Sequence, residues 1–153
     1  MKQFVLNINS RYQRPVIQLS SWHNFEALLD TGAFFPVWTA DEKILNILGG
    51  KCIKNNVVFG GFGGETSGNL YELKGIAIGS LIFPSIHMIA CKDLKNVPFQ
   101  LILSATMFRG LIYEIDDKNH KLNVTIPDDE SMIRTLTIRD SKGKLHIMCE
   151  SVF

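Results

Sequence analysis

The sequence has little of what would mark a membrane, nucleic-acid-binding or secreted protein. Its 16 Lys and Arg against 15 Asp and Glu leave a net charge of +1, which gives no electrostatic case for nucleic acid or an anionic membrane. No segment approaches the roughly 20 apolar residues of a membrane-spanning helix, and residues 1–7 contain no long apolar run typical of a signal peptide. We therefore expect a cytoplasmic protein with no nucleic-acid or membrane partner.

Cysteine is also scarce, and the spacing of the three cysteines argues against a disulfide framework and a metal site. Cys52, Cys91 and Cys149 are odd in number and far apart, which fits a reduced protein better than a disulfide framework. The sequence contains no Cys-x-x-Cys or Cys-x-x-His pair and no Gly-Lys-Ser/Thr. We expect buried free thiols, no metal and no cofactor.

What the sequence does have is a pattern of short β-forming runs in one domain. Apolar residues make up 46% of it and charged residues 20%, enough for one sizeable core. A single helix is predicted from the capping-box spacing of Thr39-Ala40-Asp41-Glu42, with Asp41 and Glu42 in its first turn, Gly49-Gly50 at its end, and one apolar face made by Ile44, Leu45, Ile47 and Leu48. The fold class is therefore all-β. Strands are predicted at residues 4–9, 15–19, 25–29, 70–74, 85–90, 99–103, 111–116, 121–126, 132–139 and 145–150, and residues 75–84, from Gly75 to Pro84, are predicted to form a hairpin.

The most informative stretch is residues 25–33, where an apolar run ends on a carboxylate. Asp30 follows Leu28 and Leu29, and Thr31 and Gly32 come before the chain turns apolar again. A carboxylate in such surroundings should be partly desolvated and needs donors or a shared proton. An Asx turn that simply ends a strand is the alternative interpretation.

A second informative stretch is glycine-rich. Residues 57–66 place four glycines around Phe62 between β-forming runs, which predicts a hairpin with a flexible tip and free backbone amides. A phosphate cradle would need Gly-x-Gly-x-x-Gly, which is absent from this stretch. An ordinary glycine hairpin remains the structural alternative.

Asp30-Thr31-Gly32-Ala33, preceded by Ala27-Leu28-Leu29, resembles the Asp-Thr-Gly-Ala active-site signature of the aspartic proteases. The chain has no second Asp-Thr-Gly or Asp-Ser-Gly. A two-carboxylate site would then need Asp30 from each of two chains across a two-fold axis. The resemblance therefore points to the homodimeric, retropepsin-like branch, in which the glycine-rich hairpin is a flap that closes over an extended peptide.

The resemblance covers residues 15–126 and implies a closed, barrel-like acid protease fold with a flap and one or two short helices. We expect residues 1–126 to form the protease domain and residues 127–153 a C-terminal β-hairpin extension packed on the same domain. The family's closing segment matches residues 99–116, with Ser104 where glycine is expected. Phe34 and Ala105 stand in the places of an acid and an arginine that pair in viral members. Replacing both partners with apolar groups can be nearly neutral, which suggests a repacked site with different substrate recognition.

The resemblance implies an aspartic endopeptidase that acts on a peptide or protein substrate. Two other classes stay open: a homodimeric module that binds a peptide without cutting it, and a small β-barrel unrelated to proteases. A monomeric state would favour the second of these. The implied catalytic residues are Asp30, Thr31 and Gly32, and the implied substrate-binding residues are Ala33, Phe34, Phe35, Val37, Gly60, Gly61, Phe62, Gly63 and Ile102.

Overall fold

The fold, seen in a computed structural model that describes residues 1–61, 64–91, 94 and 96–153, is almost entirely β-structure. Among the described residues, no helix is long and apolar enough to cross a bilayer. The strands are β1 (Lys2–Asn7), β2 (Val16–Leu19), β3 (Phe25–Asp30), β4 (Val37–Trp38), β5 (Lys51–Gly61), β6 (Gly64–Ile78), β7 (Leu81–Cys91), β8 (Leu101–Ser104), β9 (Ile112–Asp116), β10 (Lys121–Ile126), β11 (Arg134–Ser141) and β12 (Lys144–Ser151), with helix α1 (Glu42–Ile47) and a 3-10 helix (Ala105–Phe108).

The large sheet carries the core and positions the Asp30 turn. Its strand order is β12-β11-β7-β4-β8-β3-β2, and the β5–β6 hairpin joins it through β7. Strand β3 lies between β2 and β8, and every residue of β8 is buried. Burial on both faces explains why β3 and β8 read as nearly continuous apolar runs rather than as alternating ones.

A smaller sheet of order β1-β10-β9 packs beside the large one. Strand β10 alternates between buried and half-buried residues, as a strand with one face on the core does. Strands β1 and β9 form the two outer edges of this sheet. They leave Val5, Ile112 and Ile115 exposed on its surface, at 55%, 60% and 38%.

Strands β6 and β7 are longer than the predicted strands at residues 70–74 and 85–90. The turn expected within residues 75–84 is present at residues 79–80, but both flanking strands continue without a break. Lys74 pairs with Ser85 and Ile76 with Phe83, so Gly75 and Pro84 lie opposite one another. Pairing resumes on both sides of this position, and the two residues interrupt the ladder without ending either strand.

Helix α1 ends where expected but begins two residues late, because Asp41 caps it and the Thr39 hydroxyl instead donates to the Phe99 carbonyl. Its predicted apolar face is also wrong in one respect. The Asp41 carboxylate caps it by accepting from the Lys43 amide, and Leu45 is buried. Ile47 instead is 82% exposed. A helix of six residues has fewer than two turns to bury, so only one of its residues reaches the core fully.

The C-terminal hairpin joins the large sheet through a parallel pairing. Strand β11 pairs with β7 at Leu136 and Ile86, and β12 forms the outer edge. The turn between β11 and β12 has Lys142 at φ 53° and Gly143 at φ 82°. These are the two positive values required by a two-residue type I′ hairpin loop.

Candidate active site

Asp30 ends β3 at the point where two parallel strands finish together. It pairs with Ser104 of β8, and its side chain is half-buried. Its Oδ1 accepts the Gly32 amide at 3.0 Å, and its carbonyl accepts the Ala33 amide at 3.1 Å. This is the Asx turn of the alternative interpretation, but it also holds the carboxylate in a defined orientation. Asp30 Oδ2 makes no hydrogen bond to any described residue, so it is available for chemistry.

The segment after β8 braces the Asp30 turn through two hydrogen bonds, and a third bond joins this segment to the end of β8. The Ala105 amide donates to the Ala33 carbonyl at 3.2 Å, and Thr106 Oγ1 donates to the Phe34 carbonyl at 2.7 Å. Ser104 Oγ lies 2.7 Å from Thr106 Oγ1. Because the Thr106 proton is already directed to Phe34, Ser104 must be the donor in this last bond.

Polar contacts connect the two places where the sequence departs from the viral pattern, Ser104 and the pair Phe34 and Ala105. The expected apolar repacking does not extend to the Phe34 side chain, which is 72% exposed. The Thr106 hydroxyl links the two segments by donating to the Phe34 carbonyl. Ser104 is fully buried and bonds Thr106, so the hydroxyl that replaces the expected glycine has a partner.

The β5–β6 hairpin approaches the Asp30 turn through an aromatic contact. The rings of Phe35 and Phe59 meet edge to face, 5.1 Å between centroids. Gly61 of β5 pairs with Gly64 of β6. The predicted tip residues Phe62 and Gly63 lie outside the described residues.

A groove of about 460 Å³ lies between the Asp30 loop (residues 31–36, between β3 and β4), the β5–β6 hairpin and the C-terminal hairpin. Three of the predicted substrate-binding residues line it: Phe34, Phe35 and Gly60. Val37 and Ile102 do not, because they pair in the core and are 2% and 3% exposed. Ala33 is half-buried beside the Asp30 carbonyl. The other residues along the groove are Val58, Phe59, Thr106, Gly143, Leu145 and Ile147.

None of these six was predicted as a site residue; Val58 and Phe59 lie in the predicted glycine-rich hairpin, whereas Thr106, Gly143, Leu145 and Ile147 lie outside it. A hydroxyl near the end of the closing segment gives no local signal of a partner 72 residues earlier. Leu145 and Ile147 alternate with exposed His146 and Met148, a pattern that predicts a strand but not what its inner face covers.

A larger cavity of about 550 Å³ lies elsewhere, beside the start of α1 and the end of β7. Its lining includes Gln100, just before the start of β8, whereas Asp30 pairs with the last residue of that strand. Both acids among its described lining residues have structural partners: Asp41 caps α1, and Glu42 is bonded to Asn69 and to the Tyr71 hydroxyl. We therefore take the Asp30 turn as the candidate site of chemistry.

The remaining titratable candidates have structural roles. His87 Nδ1 accepts the Ile138 amide at 3.0 Å, so this imidazole has a hydrogen-bond partner within the sheet. The three cysteines are free; Cys91 is buried and the other two are half-buried. Burial raises the pKa of Cys149, against a smaller lowering by Arg134. Across the described residues, no three His, Cys, Asp or Glu side chains cluster closely enough to hold a metal ion.

The all-β architecture, with a carboxylate turn braced by the segment beside it and a long hairpin nearby, is similar to a known protease fold. A solved structure of a retropepsin-like aspartic protease from Rickettsia conorii matches the chain with a TM-score of 0.55. The match has 16% identity and covers 82% of this chain and 91% of that one. The predicted fold class and the resemblance are thus confirmed at the level of the fold. No protein-family model matches the chain, and none of the curated proteins matches it significantly.

Proposed function

We propose that this protein is an aspartic endopeptidase that works as a homodimer. The observation that carries the proposal is the Asp30 turn itself. Its carboxylate is oriented by the Gly32 amide at 3.0 Å and keeps one oxygen unbonded among the described residues. A turn that only ended a strand would not need the two hydrogen bonds that Ala105 and Thr106 donate to it, or the buried Ser104 hydroxyl that bonds Thr106.

A second chain would supply the other carboxylate. One chain has a single Asp-Thr-Gly, so a two-carboxylate site requires Asp30 from each protomer. The edges of the β1-β10-β9 sheet, with exposed Val5, Ile112 and Ile115, offer apolar surface for such an association. We assign to Thr31 the role of bracing the two turns against each other.

The chemistry follows from placing two carboxylates close together. They cannot both ionise easily, so the pair shares one proton. The ionised Asp30 takes a proton from a bound water, which attacks the peptide carbonyl. The protonated Asp30 of the other chain donates a hydrogen bond to the developing oxyanion. Gly32 would offer its backbone to the substrate, and the β5–β6 hairpin would act as the flap that covers it.

The test is cleavage of a complex peptide library by the protein and by Asp30→Asn, followed by mass spectrometry from acidic to neutral pH. We expect the substitution to reduce cleavage by at least about 100-fold. Asp117→Asn, in an exposed turn, is the matched control and should cleave normally. Cleavage that survives in Asp30→Asn would refute the proposed mechanism.

A peptide-binding module without activity is the second candidate, favoured by the 72% exposure of Phe34 beside an apolar groove. Such a protein would form a stable dimer and cut nothing in the library. It would also bind peptides equally well with Asp30 or Asn at this position, since binding alone does not need the carboxylate pair.

A further inference from the structure

The C-terminal hairpin forms one wall of the groove beside the Asp30 loop. Leu145 and Ile147 of β12 face inward and line it opposite Phe34 and Phe59. The groove is thus bounded by three segments far apart in sequence. One of them, the hairpin, lies beyond the part of the chain to which the sequence resemblance extends.

The hairpin is held firmly at both ends. Near its turn, Asp140 Oδ2 accepts from Lys54 Nζ of β5 at 2.9 Å. At its other end, Arg134 Nη1 donates to the carbonyls of Met107 and Arg109 at 3.1 and 2.9 Å. These contacts connect it to the β5–β6 hairpin and to the 3-10 helix after β8. A wall fixed in this way can discriminate between side chains because it does not yield to each of them.

The groove lies within reach of a substrate held at Asp30. Phe34 is four residues after Asp30, so the chain allows at most about 14 Å between their Cα atoms. An extended peptide advances about 3.3 Å per residue. A substrate side chain in the groove would therefore come from within about four residues of the bond to be cut.

The chemistry of the walls selects the occupant. The described residues that line the groove carry no charge, and Thr106 already uses its hydroxyl on Phe34 and Ser104. A charged side chain would lose water there without gaining a partner. The volume of about 460 Å³ falls in the range typical of sites for small ligands, about 300–1,000 Å³.

We propose that Leu145 and Ile147 are specificity-determining residues, which make the groove a pocket for a large apolar side chain of the substrate. The C-terminal hairpin would then select which peptides are cut. The inference rests on the proposed endopeptidase function and names part of its substrate class. The preferred side chains are leucine, methionine and phenylalanine.

The test compares cleavage profiles of the parent chain, Leu145→Trp, and His146→Trp as the matched control on the exposed face of the same strand. Peptides differ only in having Phe, Leu or Ala at each of the four positions on either side of the cleaved bond. At one position, we expect the parent chain to prefer Phe over Ala and Leu145→Trp to reduce this ratio of kcat/KM by about tenfold. His146→Trp should leave the ratio unchanged. Ile147→Ala should shift the preference towards larger side chains, which provides a second test if Leu145→Trp does not fold.

The outcomes separate the two proposals. If all variants cleave with the same profile as the parent chain, the hairpin does not select substrates and this inference is overturned, while the endopeptidase function stands. If the parent chain itself cuts no peptide, the proposed function fails and this inference falls with it.

Discussion

The hydroxyl brace between the Asp30 loop and residues 104–106 makes a quantitative prediction. Thr106→Val removes two hydrogen bonds, one to the partly exposed Phe34 carbonyl and one from the fully buried Ser104. Water can replace the first, so its loss costs about 0.5 kcal/mol, whereas an unpaired buried hydroxyl costs about 1–3 kcal/mol. We expect Thr106→Val to lower the free energy of unfolding by about 2 kcal/mol.

Ser104→Ala removes only one bond and leaves no buried hydroxyl unpaired, so it should cost about 1 kcal/mol. The double substitution should cost no more than Thr106→Val alone, because no orphaned hydroxyl remains. The two effects are therefore expected to be less than additive by about 1 kcal/mol. Such a deficit is the signature of a direct bond between the two side chains.

Urea unfolding of all four proteins at one fixed chain concentration measures these differences, since association would otherwise change the apparent stability. Thr137→Val is the matched control, because its hydroxyl makes no hydrogen bond to any described residue. It should change stability by less than about 0.5 kcal/mol. Strict additivity of the Ser104 and Thr106 effects would refute the brace.

Three further predictions concern groups outside the brace. Arg134 is 1% exposed and holds two carbonyls of residues 107–109, so Arg134→Met should lower the free energy of unfolding by about 3 kcal/mol in urea denaturation; near-parent stability would contradict this. Because burial raises the pKa of Cys149, the folded protein should react with iodoacetamide at pH 8 more slowly there than the urea-unfolded chain does; equal rates by peptide mass mapping would refute it. Burial, with the hydrogen bond to Glu42, raises the pKa of Tyr71 to about 12, so its stabilising contribution is full below pH 10 and is lost as the pH rises through 12. Absorbance at 295 nm should show one tyrosine that ionises at higher pH than the others. Glu42→Gln should move the midpoint of this ionisation to lower pH, and an unchanged midpoint would contradict the assignment.

The sequence predicts the Asp30 turn well because its determinants are local. An apolar strand, a carboxylate and a glycine within a few residues specify both the strand end and the turn that follows. The all-β class follows equally from short-range patterns. Gly75 and Pro84, by contrast, suggested strand ends that do not occur, because the two residues fall opposite each other and share one interruption of the ladder.

The rest of the candidate site depends on contacts that no local pattern encodes. Thr106 reaches Phe34 only because β3 and β8 lie parallel with Asp30 beside Ser104. Leu145 reaches the groove only because β11 pairs in parallel with β7 and carries β12 with it. Both are consequences of sheet topology. A periodic pattern shows that a residue faces inward but not which distant segment it meets.

In the proposed dimer, one Asp30 from each of two chains forms the site. Mixed dimers of active and inactive chains test this arrangement. The protein and Asp30→Asn are unfolded together in equal amounts, refolded so that chains pair at random, and assayed on a cleaved peptide. If both carboxylates are needed, only about a quarter of the dimers are active, and the mixture should show about a quarter of the activity of the same total amount of parent protein. Half of that activity would mean that each chain acts alone, and would contradict the shared site.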